Sequence, residues 1–285
     1  MDLGRSGIWS FELRTADTGR IRDAAAELDE AGWGALWIPG GGGGPILADA
    51  ERLLQATRTA KVAIGVASIW QHRAAEIGAG HAGLQEQYGR RLMLGLGVSD
   101  TAAARQAGRP FRPLSDMSDY LDELDQPPSL VRTDERLMAA LGPKMVELGG
   151  RRTAGIHPFA VTPDYTAATR TALGPGPLIA PYQAVILDSD VSTARCTARA
   201  FLGTFISMGH YDRSLRRQGF TKEDLGHGGS DRLVDTLVAW GGLDAVAQRI
   251  RAHHDAGADH VCLHVLSSER GLPTPDWRRL ASLNQ

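Results

Sequence analysis

The residues placed to do chemistry in this sequence are few, and they stand just past apolar runs. Asp100 ends the segment LGLGVSD, just past an apolar run that reads as a strand. There it is placed to act as an acid or, with Ser99, to cap the next helix. His72 follows a second run, VAIGVASI, and is the other candidate for proton transfer. The segment AALGPK sets Leu141 and Gly142 before Pro143, which suits the first turn of a helix, and Lys144, which brings charge. Such a turn either seats a phosphate on helix amides or simply joins strand to helix. The five glycines from Gly40 to Gly44 offer a second anion cradle or a flexible loop. Gly95 and Gly97 lie inside a strand pattern, where glycine marks the close approach of a backbone or a ligand. Trp9, Phe11 and Trp70 stand at strand ends, where they line an apolar pocket or belong to the core.

Several chemistries are excluded. His253 and His254 diverge by about 100° on a helix, and His260 and His264 share a strand face without a third ligand, so no metal set forms. Partnered or exposed histidines are the expectation. No Gly-x-Ser-x-Gly elbow and no Gly-Lys-Ser/Thr loop occurs.

The elements that must position these residues alternate in type. Strands are predicted over 7–11, 35–38, 62–69 and 92–98, with amphipathic helices over 18–31, 46–57 and 73–88 between them. Repeated strand–helix units imply parallel pairing with right-handed crossovers. Further strands fit 136–141, 153–161, 178–187 and 259–266, and a helix fits 243–256; eight such units close a (β/α)8 TIM barrel. The regions 101–129, with one helix over 114–124, and 207–231 read as irregular. No linker divides the chain, so residues 1–285 are expected to form one domain.

The 31 basic and 33 acidic residues leave a net charge of −2, which argues against a nucleic-acid or anionic-membrane surface. Only Lys61, Lys144 and Lys222 are lysines. Cys196 and Cys262 fall in apolar helical and strand contexts, so a reducing, cytoplasmic setting is expected.

The segments GWGALWIP, VAIGVASIW, YGRRLMLGLGVSD, AALGPKM, GSDRLVDTLVAWG and LDAVAQRIRAHHDAGADHVCLHVL, in this order and spacing, resemble the bacterial luciferase-like family of flavin and deazaflavin oxidoreductases. The resemblance spans nearly the whole chain and is nearest to the coenzyme F420-dependent subgroup. It implies a cofactor across the C-terminal mouth of the barrel, F420 or alternatively FMN. It also implies a bulge in the third strand, often with a cis peptide, supporting the ring at Gly65–Val66. Gly97, Val98, Ser99 and Asp100 would approach the cofactor, and Leu141, Gly142, Pro143 and Lys144 would hold its phosphate. The partner implied is a small-molecule substrate, in a monomer or homodimer. One departure stands out: many relatives carry an acidic residue or histidine after the second strand, where this chain has Pro39 and glycines.

Overall fold

A computed structural model describes residues 1–41, 44–98, 101–108, 110–209, 211–267 and 271–284. Among the described residues there are ten strands: β1 (Ser6–Trp9), β2 (Ala35–Ile38), β3 (Lys61–Ser68), β4 (Leu92–Gly97), β5 (Arg136–Met138), β6 (Gly155–Ile156), β7 (Leu178–Ile179), β8 (Tyr182–Ile186), β9 (Val238–Trp240) and β10 (Val261–Val265). All pair in parallel, in the order β7-β6-β5-β4-β3-β2-β1-β10-β8-β9.

The sheet closes on itself. β7 and β8 are successive parts of one extended segment, with only Ala180 and Pro181 between them. Its first part pairs with β6 and its second with β10. At the joint the Ala180 N–H donates to the Ile156 carbonyl (2.9 Å) and the Cys262 N–H to the Pro181 carbonyl (2.9 Å). The result is a ring of eight strands, each in a region where the hydrophobic pattern predicts one. The sixth is shorter than expected, because Pro158 has no N–H to give and Ala160 turns to φ 53°. β9 is unforeseen; it joins β8 on the side that β6 leaves, through Ala184↔Val238, Val185↔Ala239 and Ile186↔Trp240.

Side chains alternate across the ring, as strand geometry requires. Trp37, Ala63, Met93, Leu137, Tyr182, Ala184 and Cys262 pack inside, while Leu36, Ile38, Val62, Ile64, Leu94 and Leu263 face the surrounding helices. Helix Thr18–Glu30 buries Ile21, Ala24, Ala25 and Leu28 on one face, and Asp17 caps it by accepting from the Gly19 and Arg20 N–H groups. The helix expected over 114–124 is present as Pro113–Leu124, and the two irregular regions hold further short helices, Thr101–Gln106 in the first and Asp212–Arg217 in the second. Cys196 is exposed on helix Val191–Ser207 rather than in an apolar setting, whereas Cys262 is buried in β10. Among the described residues no helix is long and apolar enough to cross a membrane.

Candidate active site

The C-terminal strand ends form a mouth with two unlike sides. On the β2–β3–β4 side, glycine replaces side chains. β3 pairs Ile64 with Leu94 and then Ala67 with Leu96, so the register shifts over Gly65 and Val66, and the peptide between them is cis. This is the bulge that the sequence resemblance implies. Its neighbours must make room for it. A Cβ on Gly40 would lie 2.0 Å from the Val66 carbonyl oxygen, and one on Gly95 would lie 2.0 Å from that of Ile64. A Cβ on Gly97 would meet the Val66 side chain at 2.6 Å. The close approach expected at Gly95 and Gly97 is therefore that of the protein's own bulge. The absence of an acidic residue at Gly40 has the same cause, because no side chain fits there.

The glycine loop beyond β2 is held by a cation. The Arg14 guanidinium donates to the Pro39 and Gly41 carbonyls (2.7 Å each) and to Asp49 (2.7 Å). The anion-cradle reading of the loop depends on backbone amides that include those of Gly42 and Gly43, which lie outside the described residues. His72 is half-buried, and burial first, then the nearby Arg14, lowers its pKa. The Trp70 indole N–H donates to the Val98 carbonyl (2.5 Å), which joins the ends of β3 and β4. Ser99 and Asp100 lie outside the described residues.

At the end of β5, Gly142 is extended (φ −89°, ψ 149°) and starts helix Pro143–Arg152. Lys144 is exposed in its first turn. Arg217 reaches the same turn and donates to the Leu141 carbonyl (3.1 Å), as does the Tyr165 hydroxyl (3.1 Å). Burial pushes the Tyr165 phenol up to about 12, so it is a neutral donor there. Two cations beside a helix N-terminus suit an anion.

The opposite side is filled with aromatic rings and histidines. β10 sends His260, Cys262 and His264 inward at three heights. At the bottom, the Trp37 indole donates to His260 Nε2 (3.0 Å), and His260 Nδ1 donates to the Gly4 carbonyl (2.8 Å). In the middle, His157 stacks on Trp37 with ring centres 4.5 Å apart and donates from Nδ1 to the Ala180 carbonyl (2.7 Å). At the top, the Tyr182 hydroxyl and His264 Nδ1 form a short hydrogen bond. Burial pushes His157 and His260 down to about 4 and His264 to about 3, so all three rings are neutral at pH 7. The Trp9 indole N–H is buried without an acceptor among the described residues and approaches Gly65, whose Cβ position lies 3.1 Å from it and 3.0 Å from His157 Nε2.

Trp9 and Phe11 thus stand where the sequence reading puts them, in edge contact with ring centres 4.9 Å apart. Trp70 lies apart from them, over β4. The reading missed Tyr182 and His264, which meet Trp9 only through the closed ring of strands, and Phe159 and Phe201, which meet Tyr182. Phe201 and Phe205, four apart on one helix, were the available signal.

No family model and no curated protein matches the chain. Solved structures do. An F420-dependent secondary alcohol dehydrogenase, solved with an F420–acetone adduct, superposes with a TM-score of 0.76 at 13% identity over 99% of this chain and 98% of that one. The coenzyme F420-dependent tetrahydromethanopterin reductase of Methanopyrus kandleri gives 0.76 at 17% identity over the same shares. The chain has the luciferase-like barrel fold. The same luciferase-like fold is seen in the oxygenating constituent of 3,6-diketocamphane monooxygenase from Pseudomonas putida, solved with FMN. It has a TM-score of 0.70 at 15% identity, over 100% of this chain and 98% of the other.

Proposed function

We propose that the chain is a luciferase-like oxidoreductase that binds a deazaflavin across the barrel mouth, coenzyme F420 in preference to FMN, and serves hydride transfer to or from a small organic substrate. The observation that carries this reading is the bulge at Gly65–Val66, with Gly40, Gly95 and Gly97 cleared around it. The bulge sets backbone, rather than side chains, on one side of the mouth, which suits the face of a flat ring. The turn at Leu141, Gly142, Pro143 and Lys144, with Arg217 beside it, fits the cofactor phosphate. Trp9, Phe11 and Trp70 serve as apolar walls that exclude water, and Val98 approaches the ring edge. When bound, a reduced deazaflavin supplies a hydride. Asp100 and His72 are the candidates for the accompanying proton; His72, being neutral at pH 7, serves as an acceptor. The whole of 1–285 works as one unit, in the cytoplasm. The F420-dependent enzymes among the similar structures support the choice of deazaflavin, and the FMN monooxygenase supports the alternative.

Titration of the purified protein with F420 and with FMN, followed by cofactor fluorescence, tests this. Saturable F420 binding tighter than FMN is expected. Tight FMN binding without deazaflavin binding overturns the choice of cofactor, and binding of neither by folded protein overturns the reading. Lys144→Ala should weaken cofactor binding by ~1–2 kcal/mol, as expected for loss of a charged contact. Unchanged affinity removes Lys144 from the site.

A further inference from the structure

We propose that the aromatic side of the mouth is a substrate chamber for a neutral, ring-shaped carbonyl compound, whose oxygen accepts a hydrogen bond from His264 Nε2. This rests on the reading above for its hydride but not for its binding.

The Tyr182 hydroxyl lies inside the barrel, and its partner is His264 Nδ1. If Nδ1 carried the imidazole hydrogen, the phenolic hydrogen would be a buried donor without an acceptor, which folded proteins avoid. The hydroxyl therefore donates to Nδ1. His264 is neutral, since burial holds its pKa far below its ordinary value. Its one ring hydrogen is then on Nε2, which has no acceptor among the described residues. The tautomer is fixed by a neighbour on β8, and the free end of the ring is a donor.

The surroundings select what that donor meets. The His264 ring centre lies 4.7 Å from Trp9, 5.3 Å from Phe201 and 5.9 Å from Phe11. Phe11, Phe159 and Phe201 keep part of their surface open to the mouth, so the walls are reachable. The charged group acting on Tyr182 is Glu12, whose carboxylate accepts from the Ser10 hydroxyl (2.6 Å). A neutral donor, flat apolar walls and a nearby negative charge disfavour an anion and favour an uncharged acceptor on a ring. In the reducing direction, a bound deazaflavin would supply the hydride that the carbonyl carbon needs. The C=O π pair would pass to oxygen, which takes its proton from the acid assigned under the reading above, giving the alcohol. His264 holds the oxygen throughout and keeps its own proton.

The probes are acetophenone, ethylbenzene, which lacks the acceptor, and benzoate, which adds a charge. Dissociation constants come from ligand-detected NMR on the full chain, with and without F420. Acetophenone is expected to bind at least ~10-fold tighter than either analogue, which is the size expected for one hydrogen bond. His264→Leu should bring acetophenone and ethylbenzene within about twofold of one another. Nitrogen-15 spectra of wild-type protein should show His264 protonated at Nε2, and Tyr182→Phe should mix the tautomers and erode the preference. Equal or tighter benzoate binding overturns the proposal, as does a preference that survives His264→Leu. If that variant does not fold, a hydrogen on Nδ1 in the wild type overturns it instead. Acetophenone preference in a protein that binds neither F420 nor FMN overturns the cofactor reading and leaves the chamber. Cofactor binding with benzoate preferred overturns the chamber alone.

Discussion

The two sides of the barrel mouth are built by opposite means. Around Val66, side chains are deleted so that the backbone of β3 can press against β2 and β4. Around His264, side chains are enlarged until rings from β1, β8, β10 and helix Val191–Ser207 touch. The first side has no titratable group in the bulge and gains its shape from steric exclusion. The second draws its shape from ring packing and its polarity from single, directed hydrogen bonds. A flat, chemically plain surface therefore faces a structured, selective one, which is the division of labour that a cofactor and a substrate need.

Acid should break the histidine side first, with the largest effect. His157, His260 and His264, together with His253 on helix Leu243–Asp255 outside the ring, have their pKa values pushed down to about 3–4, chiefly by burial. Above pH ~6.5 each is neutral folded and unfolded, so none biases stability. Below it the unfolded chain binds protons that the folded barrel refuses. Stability is thus intact above the unfolded pKa and declines as pH falls toward the folded values. Each histidine accounts for about 1.4 kcal/mol per pH unit, and the four together for roughly 5. The urea midpoint should drop steeply between about pH 6 and 5; a flat midpoint over that window would show these rings to be charged or solvated.

Steric substitutions come next. Gly95→Ala forces a Cβ to within 2.0 Å of the Ile64 carbonyl and should cost about 3 kcal/mol. For a chain of this size that lowers Tm by roughly 6–12 °C. Gly142→Ala is its control: a Cβ there meets nothing within 4 Å, and the change should stay within ~0.5 kcal/mol. Equal Tm values for the two variants would contradict the packing of the bulge. The smallest of the main effects belongs to Tyr182→Phe, which removes the hydrogen bond to His264 at a cost of about 1 kcal/mol. Denaturant unfolding reads it directly, and a loss near zero would mean that water replaces the hydroxyl.

Local patterning was enough to mark the strands from which the barrel is built. Period-two apolar runs and glycine-stopped helices marked all eight strands of the ring, because local patterning reports which face of each element is buried. The glycine inside the third strand marked the bulge for the same reason, since a bulge changes a strand's own residues. Trp9 and Phe11 were legible from their place at a strand end. Only the tertiary structure decided the rest. That Gly40 yields to the Val66 carbonyl depends on two strands brought side by side. That β8 closes the ring on β10, and that β9 joins β8, depends on pairing between segments more than 50 residues apart. The Tyr182–His264 pair spans 82 positions. No periodicity in a single segment encodes such a contact, because it exists only when closure of the sheet sets β8 beside β10.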